Sequence, residues 1–174
     1  GGHNGREETT TLCLIPAVRE ATTLPLIAAG GIGTGEAIFA LMALGAEGVQ
    51  MGTRFALTDE SSASDIFKEY CLRLNEGDTK LLLKKLAPTR LVTNSFRDRV
   101  ESAEGRGASA EELRELLGRG RAKKGIFEGD LEEGELEIGQ VAALFRRRQS
   151  VDEVMKELLE GYRRASDKIR SVGL

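Results

Sequence analysis

The sequence is poor in residue types that often form crosslinks or metal sites. It contains one histidine, two cysteines and no tryptophan among 174 residues. The cysteines, Cys13 and Cys71, lack metal-ligand spacing, and both lie in apolar patterns of helical period. We therefore expect two buried free thiols rather than a disulfide or a zinc site.

Long apolar runs and a large net charge are also missing. No stretch approaches the roughly 20 apolar residues that a membrane-spanning helix needs, and the sequence shows no signal peptide. The formal net charge of -3 argues against nucleic acid as the main partner. We expect a cytoplasmic protein that binds neither membranes nor nucleic acids.

The residues that are present divide the chain into two regions. Residues 1–57 are rich in glycine, alanine and aliphatic side chains and carry few charges, whereas residues 58–174 are charged and have helical periodicity. This contrast predicts an α/β unit followed by a mainly helical C-terminal region that packs on it.

The first region has the pattern of a parallel α/β sheet. "TTTLCLIPAVREAT" predicts a short helix, and "LPLIAA" (24–29) predicts a buried strand because it is a short apolar run that ends at two glycines. Thr34 can cap a second helix that stops at Gly45, and "GVQM" (48–51) predicts a second buried strand. The order helix, strand, helix, strand implies parallel strands joined by a crossover.

A glycine-rich turn follows each predicted strand. "LIAAGGIGTG" contains Gly30, Gly31, Gly33 and Gly35 before a helix, and "VQMGTRF" places Gly52 and Thr53 after the next strand. Exposed backbone amides at a helix N-terminus favour an anion such as phosphate. Two such turns in succession match the phosphate grip after strands seven and eight of a TIM barrel. The alternative is that the glycines serve only tight turns and helix packing.

A TIM barrel needs about 250 residues and eight strands. The sequence therefore predicts the C-terminal part of a (β/α)8 barrel, namely the end of strand six followed by strands seven and eight. In this arrangement Gly1-Gly2-His3 falls at the end of strand six, on the catalytic rim. The N-terminal half of the same barrel is the expected structural partner.

Capping patterns mark the helices of the second region. Ser64 begins one helix, and the pairs Ser109/Glu112 and Ser150/Glu153 have the spacing of a capping box. We predict buried faces on the first and last of these helices. They consist of Ile66, Phe67, Tyr70, Cys71 and Leu74, and of Val151, Val154, Met155, Leu158, Tyr162 and Ile169.

Three segments together resemble a known family. "GGHNG", "LPLIAAGGIGTGEAIFALMALGAEGVQMGTRFALTDES" and "EGDLEEGELEIGQVAALF" are similar to the flavin-dependent enoyl-acyl-carrier-protein reductases of bacterial type II fatty acid synthesis, relatives of the nitronate monooxygenases. The Gly-Gly-His motif narrows the resemblance to this superfamily. Gly129-Asp130 with Gly139-Gln140 favours the reductase.

The resemblance implies an FMN site at the strand ends and a catalytic His3 near the reactive face of the flavin. The first turn and the end of the second strand would hold the phosphate and the ribityl chain. The implied cofactor-binding residues are Gly2, Ala29, Gly30, Gly31, Gln50, Met51, Gly52 and Thr53.

The resemblance also implies two alternative activities. A reductase would use NADH or NADPH to reduce a trans-2-enoyl thioester carried by acyl carrier protein, with His3 as a proton or hydrogen-bond donor. A nitronate monooxygenase would oxidise alkyl nitronates with FMN and oxygen, with His3 as a base. A homodimer is common in the family.

Overall fold

A computed structural model of the chain describes residues 8–172. Gly2 and His3 lie outside the described residues, so the roles assigned to them stay predictions. The elements of the first region, in chain order, are helix α1 (Thr11–Ala21), strand β1 (Ile27–Ala29), helix α2 (Gly35–Ala43), strand β2 (Gly48–Gln50) and the short helix α3 (Thr53–Ala56).

The two strands of the first region form a parallel pair, as the sequence predicted. Ile27 lies opposite Gly48 and Ala29 lies opposite Gln50. The crossover helix α2 begins at the predicted cap, where the Thr34 hydroxyl accepts a hydrogen bond from the Ala37 amide at 3.2 Å. It ends before Gly45, whose positive φ of 102° is a conformation that glycine adopts without strain.

The prediction that "LPLIAA" forms a fully buried strand was wrong in length and burial. The strand is only three residues long, and Ala28 is its one buried member. Leu24 and Ile27 are 70% and 55% exposed. Side chains alternate between the two faces of a strand, and the described residues cover one face of β1 while leaving the other open.

Within residues 58–172 the second region contains four α-helices, two shorter helical segments and one hairpin. The hairpin, which the sequence analysis did not predict, pairs antiparallel strands with Leu82 opposite Thr89. The elements are α4 (Asp65–Cys71), β3 (Thr79–Leu82), β4 (Thr89–Val92), α5 (Ser95–Gly105), α6 (Ala110–Leu117), a π-helical turn (Lys123–Phe127), a 3₁₀ helix (Gln140–Leu144) and α7 (Val151–Ser171).

The predicted caps of the second region are confirmed. Ser109 and Ser150 each complete a capping box with the glutamate three residues later. Ser64 accepts a hydrogen bond from the Phe67 amide at 3.2 Å. None of the helices within residues 8–172 is both long and apolar enough to cross a bilayer.

Several burial predictions need correction. Cys71 is buried as expected, but Cys13 is exposed because it lies on the outer side of α1. In α4, Ile66 is 55% exposed, and in α7, Met155 and Ile169 are 44% and 49% exposed. Both helices lie on the surface and bury a narrower stripe than their apolar patterns suggest.

Helix α7 joins the two regions by packing on α2. A Cβ atom placed on Gly35 would stand 2.0 Å from the carbonyl oxygen of Leu158 and 2.2 Å from the amide nitrogen of Tyr162. A Cβ atom placed on Gly161 would stand 2.8 Å from a carboxylate oxygen of Glu36. The two helices therefore cross with their backbones in contact, and the last helix of the second region fixes the first turn of α2.

Candidate cofactor-binding site

The two glycine turns leave the same edge of the parallel pair. Ala29 and Gln50, the last residues of β1 and β2, lie opposite each other. The first turn continues through Gly30 and Gly31, which have positive φ values of 97° and 72°. The second continues through Met51 and Gly52 into α3. The structure therefore brings together the strand-end residues that the sequence assigned to the cofactor, apart from Gly2.

Both turns border open space. Among the described residues, no heavy atom lies within 4 Å of a Cβ built on Gly31 or on Gly52. Ala29 and Gln50 are exposed as well. A ligand could thus approach the backbone closely at both turns, which is what a phosphate held by amides requires.

The other two glycines of the first turn have a different role. A Cβ on Gly33 would lie 2.6 Å from Val141 and 2.7 Å from the ring of Phe145. Gly35 meets the backbone of α7, as described above. For these two positions the packing alternative is therefore correct, whereas Gly31 borders open space.

Helix α2 starts directly after the first turn and directs its N-terminus towards it. Within the described residues, the amides of Gly31 and Ile32 donate no hydrogen bond to another backbone group. The carboxylate of Glu36, in the first turn of α2, pairs with Arg164 of α7 at 3.1 Å. Its pKa is lowered, chiefly by a hydrogen bond from its own backbone amide. The free amides and the helix dipole both favour an anion.

Two threonine hydroxyls form hydrogen bonds that connect the turns to residues distant in sequence. The Thr11 hydroxyl, at the start of α1, donates to the Gly30 carbonyl at 2.9 Å. The Thr53 hydroxyl accepts a hydrogen bond from the Gly139 amide at 3.0 Å, so its own proton stays available for a ligand. Sequence analysis missed the roles of Thr11 and Gly139, since no local pattern records contacts across such separations.

Arg54, the residue after Thr53, is buried in a network that sequence analysis also missed. Its guanidinium lies 4.3 Å from the ring centroid of Phe145. One terminal nitrogen donates to Gln149 Oε1 at 2.8 Å and pairs with the carboxylate of Glu157. Gln149 Nε2 also donates to that carboxylate, at 2.9 Å, which closes a ring of three side chains.

The electrostatics of Glu157 and the burial of Arg54 show how closely these side chains interact. The pKa of Glu157 is lowered, first by its hydrogen bond from Gln149 and then by the charge of Arg54. Arg54 Nε is buried without a hydrogen-bond partner among the described residues. Burying the charge of Arg54 is unfavourable unless its contacts compensate. The burial of Arg54 therefore depends on its contacts with Gln149, Glu157 and Phe145.

A metal centre is not formed by the part of the chain that the structure describes. Residues 8–172 contain no group of three or more histidine, cysteine or acidic side chains that could hold a metal ion. The edge they form presents backbone amides and threonine hydroxyls, which are groups that suit an anion.

A sequence model of nitronate monooxygenases matches residues 1–161. The chain belongs to the nitronate monooxygenase family. A curated family relative, a probable nitronate monooxygenase of Staphylococcus saprophyticus, is 42% identical over an alignment that covers 55% of this chain and 30% of the relative. The chain thus matches less than a third of the length of that relative.

Solved structures extend the likeness over nearly the whole chain. FabK from Thermotoga maritima is 34% identical with a TM-score of 0.90, and the match covers 99% of this chain and 54% of that protein. A nitroalkane oxidase from Streptomyces ansochromogenes is 28% identical with a TM-score of 0.76, covering 97% of this chain and 50% of the other. The fold is therefore the C-terminal part of a TIM barrel with a helical region attached, as predicted for this family.

Proposed function

We propose that this chain forms the phosphate-binding part of an FMN-dependent enoyl-acyl-carrier-protein reductase driven by NADH or NADPH. The observation that carries the proposal is the extent of the likeness to the enoyl-acyl-carrier-protein reductase FabK, which includes the helical C-terminal region as well as the strand-end turns. The substrate is a trans-2-enoyl thioester carried by acyl carrier protein.

The residues present fit the phosphate end of FMN. Gly31 and Gly52 face open space at adjacent strand ends. The amides of Gly31 and Ile32 donate to no other described backbone group, and the Thr53 hydroxyl keeps a proton to donate. Together they offer hydrogen-bond donors and a helix dipole to a dianion. Bound FMN supplies hydride transfer from the nicotinamide to the β-carbon of the enoyl thioester.

The role of the chain is to hold the phosphate and to place one proton donor. We assign His3, by the family resemblance, to the reacting end of the substrate. When hydride reaches the β-carbon, the α-carbon must gain a proton and the thioester oxygen gathers negative charge. A histidine there either donates that proton or hydrogen-bonds the oxygen.

Nitronate oxidation is the second candidate, and the curated relative of Staphylococcus saprophyticus favours it. Here His3 acts as a base towards a neutral nitroalkane: it removes the acidic proton beside the nitro group and so yields the nitronate, which oxygen then oxidises. The turns hold FMN in the same way, so the phosphate site alone does not separate the two activities.

One pair of assays separates them. The complete barrel, purified and loaded with FMN, is mixed with NADH or NADPH and crotonyl thioester, and separately with an alkyl nitronate under oxygen. We expect enoyl-dependent oxidation of the nicotinamide. Oxygen uptake with nitronate, without any need for nicotinamide, would replace the reductase with the monooxygenase.

His3→Ala tests the assigned proton donor. We expect the variant to retain FMN and its reduction by NADH or NADPH, while the half-reaction with enoyl thioester slows by about 10²- to 10⁴-fold. Rapid mixing measures the two half-reactions separately. If the enoyl half-reaction is unchanged, His3 has only a structural role. If the nicotinamide half-reaction alone is lost, His3 acts in flavin reduction instead.

The remaining strands of the barrel are part of the proposal. Two parallel strands do not close a barrel, so we assign the other strands to an N-terminal half of the same barrel. Residues 1–174 expressed alone should aggregate or bind FMN weakly, and should recover binding when that half is supplied. A monomer that unfolds cooperatively and binds FMN tightly by itself would contradict this assignment.

A further inference from the structure

We infer that Arg54 is a positioning residue that holds the two phosphate turns at a fixed separation, through the ring it forms with Gln149 and Glu157 and its stacking on Phe145. This inference rests on the proposed FMN site, and it concerns residues that do not themselves face the open space at the turns. It follows from the connections that Arg54 makes to each turn.

The connection to the second turn is covalent. Arg54 is two residues after Gly52 and belongs to α3, which begins at Thr53. The contacts of the Arg54 side chain therefore restrain the start of α3. The Gly139 amide, which bonds Thr53, begins the 3₁₀ segment that leads to Phe145, so the second turn is attached to that segment at two points.

The connection to the first turn passes through the partners of Arg54. The Phe145 ring, on which the guanidinium stacks, occupies the space beside Gly33, 2.7 Å from where a Cβ would stand. Glu157 precedes Leu158, whose carbonyl lies against Gly35. Arg54 thus joins α3 to two elements that contact the first turn directly, and close packing transmits small shifts between them.

The energetics favour a geometric role over a stabilising one. A buried arginine with an unpaired Nε costs desolvation energy, and an apolar side chain of similar volume often fills such a site at equal or lower free energy. A guanidinium, by contrast, fixes its partners in direction because its donors are planar and rigid. A phosphate bridging two turns needs comparable precision, since in catalysis a misplacement of about 1 Å can cost about 10²-fold in rate.

The test compares FMN with riboflavin, which lacks the phosphate. Arg54→Met in the complete barrel, prepared without flavin, should bind FMN about 10- to 100-fold more weakly, while its riboflavin affinity changes less than about threefold. The preference for FMN over riboflavin therefore falls. Simple destabilisation of the fold does not change this ratio, because both flavins share the isoalloxazine and ribityl contacts.

Arg121→Met is the matched control. Arg121 also stacks on an aromatic ring, with its guanidinium 4.5 Å from the centroid of Phe96, and it donates to the carbonyls of Leu117 and Glu133 at 2.8 and 2.7 Å. It is half-buried beside α5 and α6, which carry Phe96 and Leu117, and lies away from the turns. Its replacement should lower stability and leave the FMN-to-riboflavin ratio at the wild-type value.

Two milder variants keep the test informative if Arg54→Met does not fold. Arg54→Lys retains the charge without the planar donors, and Glu157→Gln removes the ion pair while retaining a hydrogen-bonding group. Each should lower the ratio by less than Arg54→Met. An unchanged ratio in all folded Arg54 and Glu157 variants would overturn the inference. Equal binding of both flavins by the wild type would instead overturn the phosphate site itself.

Discussion

Residues 8–57 and 58–172 differ in the size of the apolar clusters that they bury. The first region has one cluster of five buried residues, around Ile15 and Leu41. The second builds clusters of twelve and seven, with Leu57 the one contribution from the first region. The second region, called the helical region, thus forms a core mostly from its own residues. The first region, called the strand unit, forms a small core and depends more on packing against other parts of the protein.

The two regions meet at the crossing of α2 and α7, and Gly35→Val should disrupt that contact most strongly. The new side chain would overlap the Leu158 carbonyl, and overpacking against backbone cannot be relieved by a rotamer change. We expect a loss of about 3 kcal/mol or more in the free energy of unfolding, measured by urea denaturation. Gly105→Val, at a glycine with open surroundings, serves as the control and should cost less than half as much.

Within the strand unit, Gly52→Val should separate ligand binding from stability. Gly52 has a φ of -90°, and among the described residues its Cβ position borders open space, so a side chain there starts without a clash. We expect FMN affinity to fall at least about tenfold, or 1.4 kcal/mol, with the urea midpoint unchanged. Binding is followed by flavin fluorescence. If the variant retains wild-type affinity, the second turn does not contact the phosphate.

Gly31→Val is the companion variant at the first turn. Its φ of 72° is unfavourable for a branched side chain, so we expect losses in both FMN affinity and stability. A variant that loses stability but keeps its flavin would place the phosphate at the second turn alone.

The helical region should show the stronger response to acid. Asp130 accepts hydrogen bonds from the Glu133 and Glu132 amides and pairs with Lys124, and its pKa is lowered to about 2. A carboxyl whose pKa is lower in the folded protein stabilises above its unfolded pKa of 3.8, and this contribution is lost as the pH falls from about 4 to 2. Asp130→Asn should reduce the fall in Tm over that interval. A Tm profile parallel to that of the wild type would contradict this.

The two cysteines, one in each region, compare the regions without any substitution, and the expected effect is the smallest of those described. Cys13 is exposed on α1, whereas Cys71 is buried and its pKa is raised to about 12 by burial. In the complete barrel, a thiol reagent at neutral pH should modify one of these two cysteines in the native state and both after denaturation, because the thiolate is the reactive form. Peptide mapping should identify Cys13 as the modified residue, and labelling of native Cys71 would show that its core opens.

Sequence analysis succeeded where a signal is local. The Thr34 cap, the capping boxes of Ser109 and Ser150 and the alternation of helix and strand all depend on residues within one turn or one short run. The hairpin was missed because its strands are four residues long and "TKLLLKK" does not alternate between apolar and polar side chains.

The candidate site was predictable only in part, for the same reason. The open glycines follow predicted strands and could be located from sequence. Distinguishing Gly31 from Gly33 required knowing that Phe145 packs beside the latter. The Thr53 contact spans 86 residues and the Arg54 ion pair spans 103, and neither has a periodic or motif signature.

The crossing of α2 and α7 constrains which changes in chain length the fold tolerates. Because Gly35 and Gly161 meet backbone to backbone, the contact depends on the rotation of each helix about its own axis. One residue inserted between Ser150 and Gly161 would turn the glycine about 100° away from its partner and present a side chain instead. Insertions in the loops between α4 and α7 leave that rotation untouched, so variation in length among family members is expected to concentrate there.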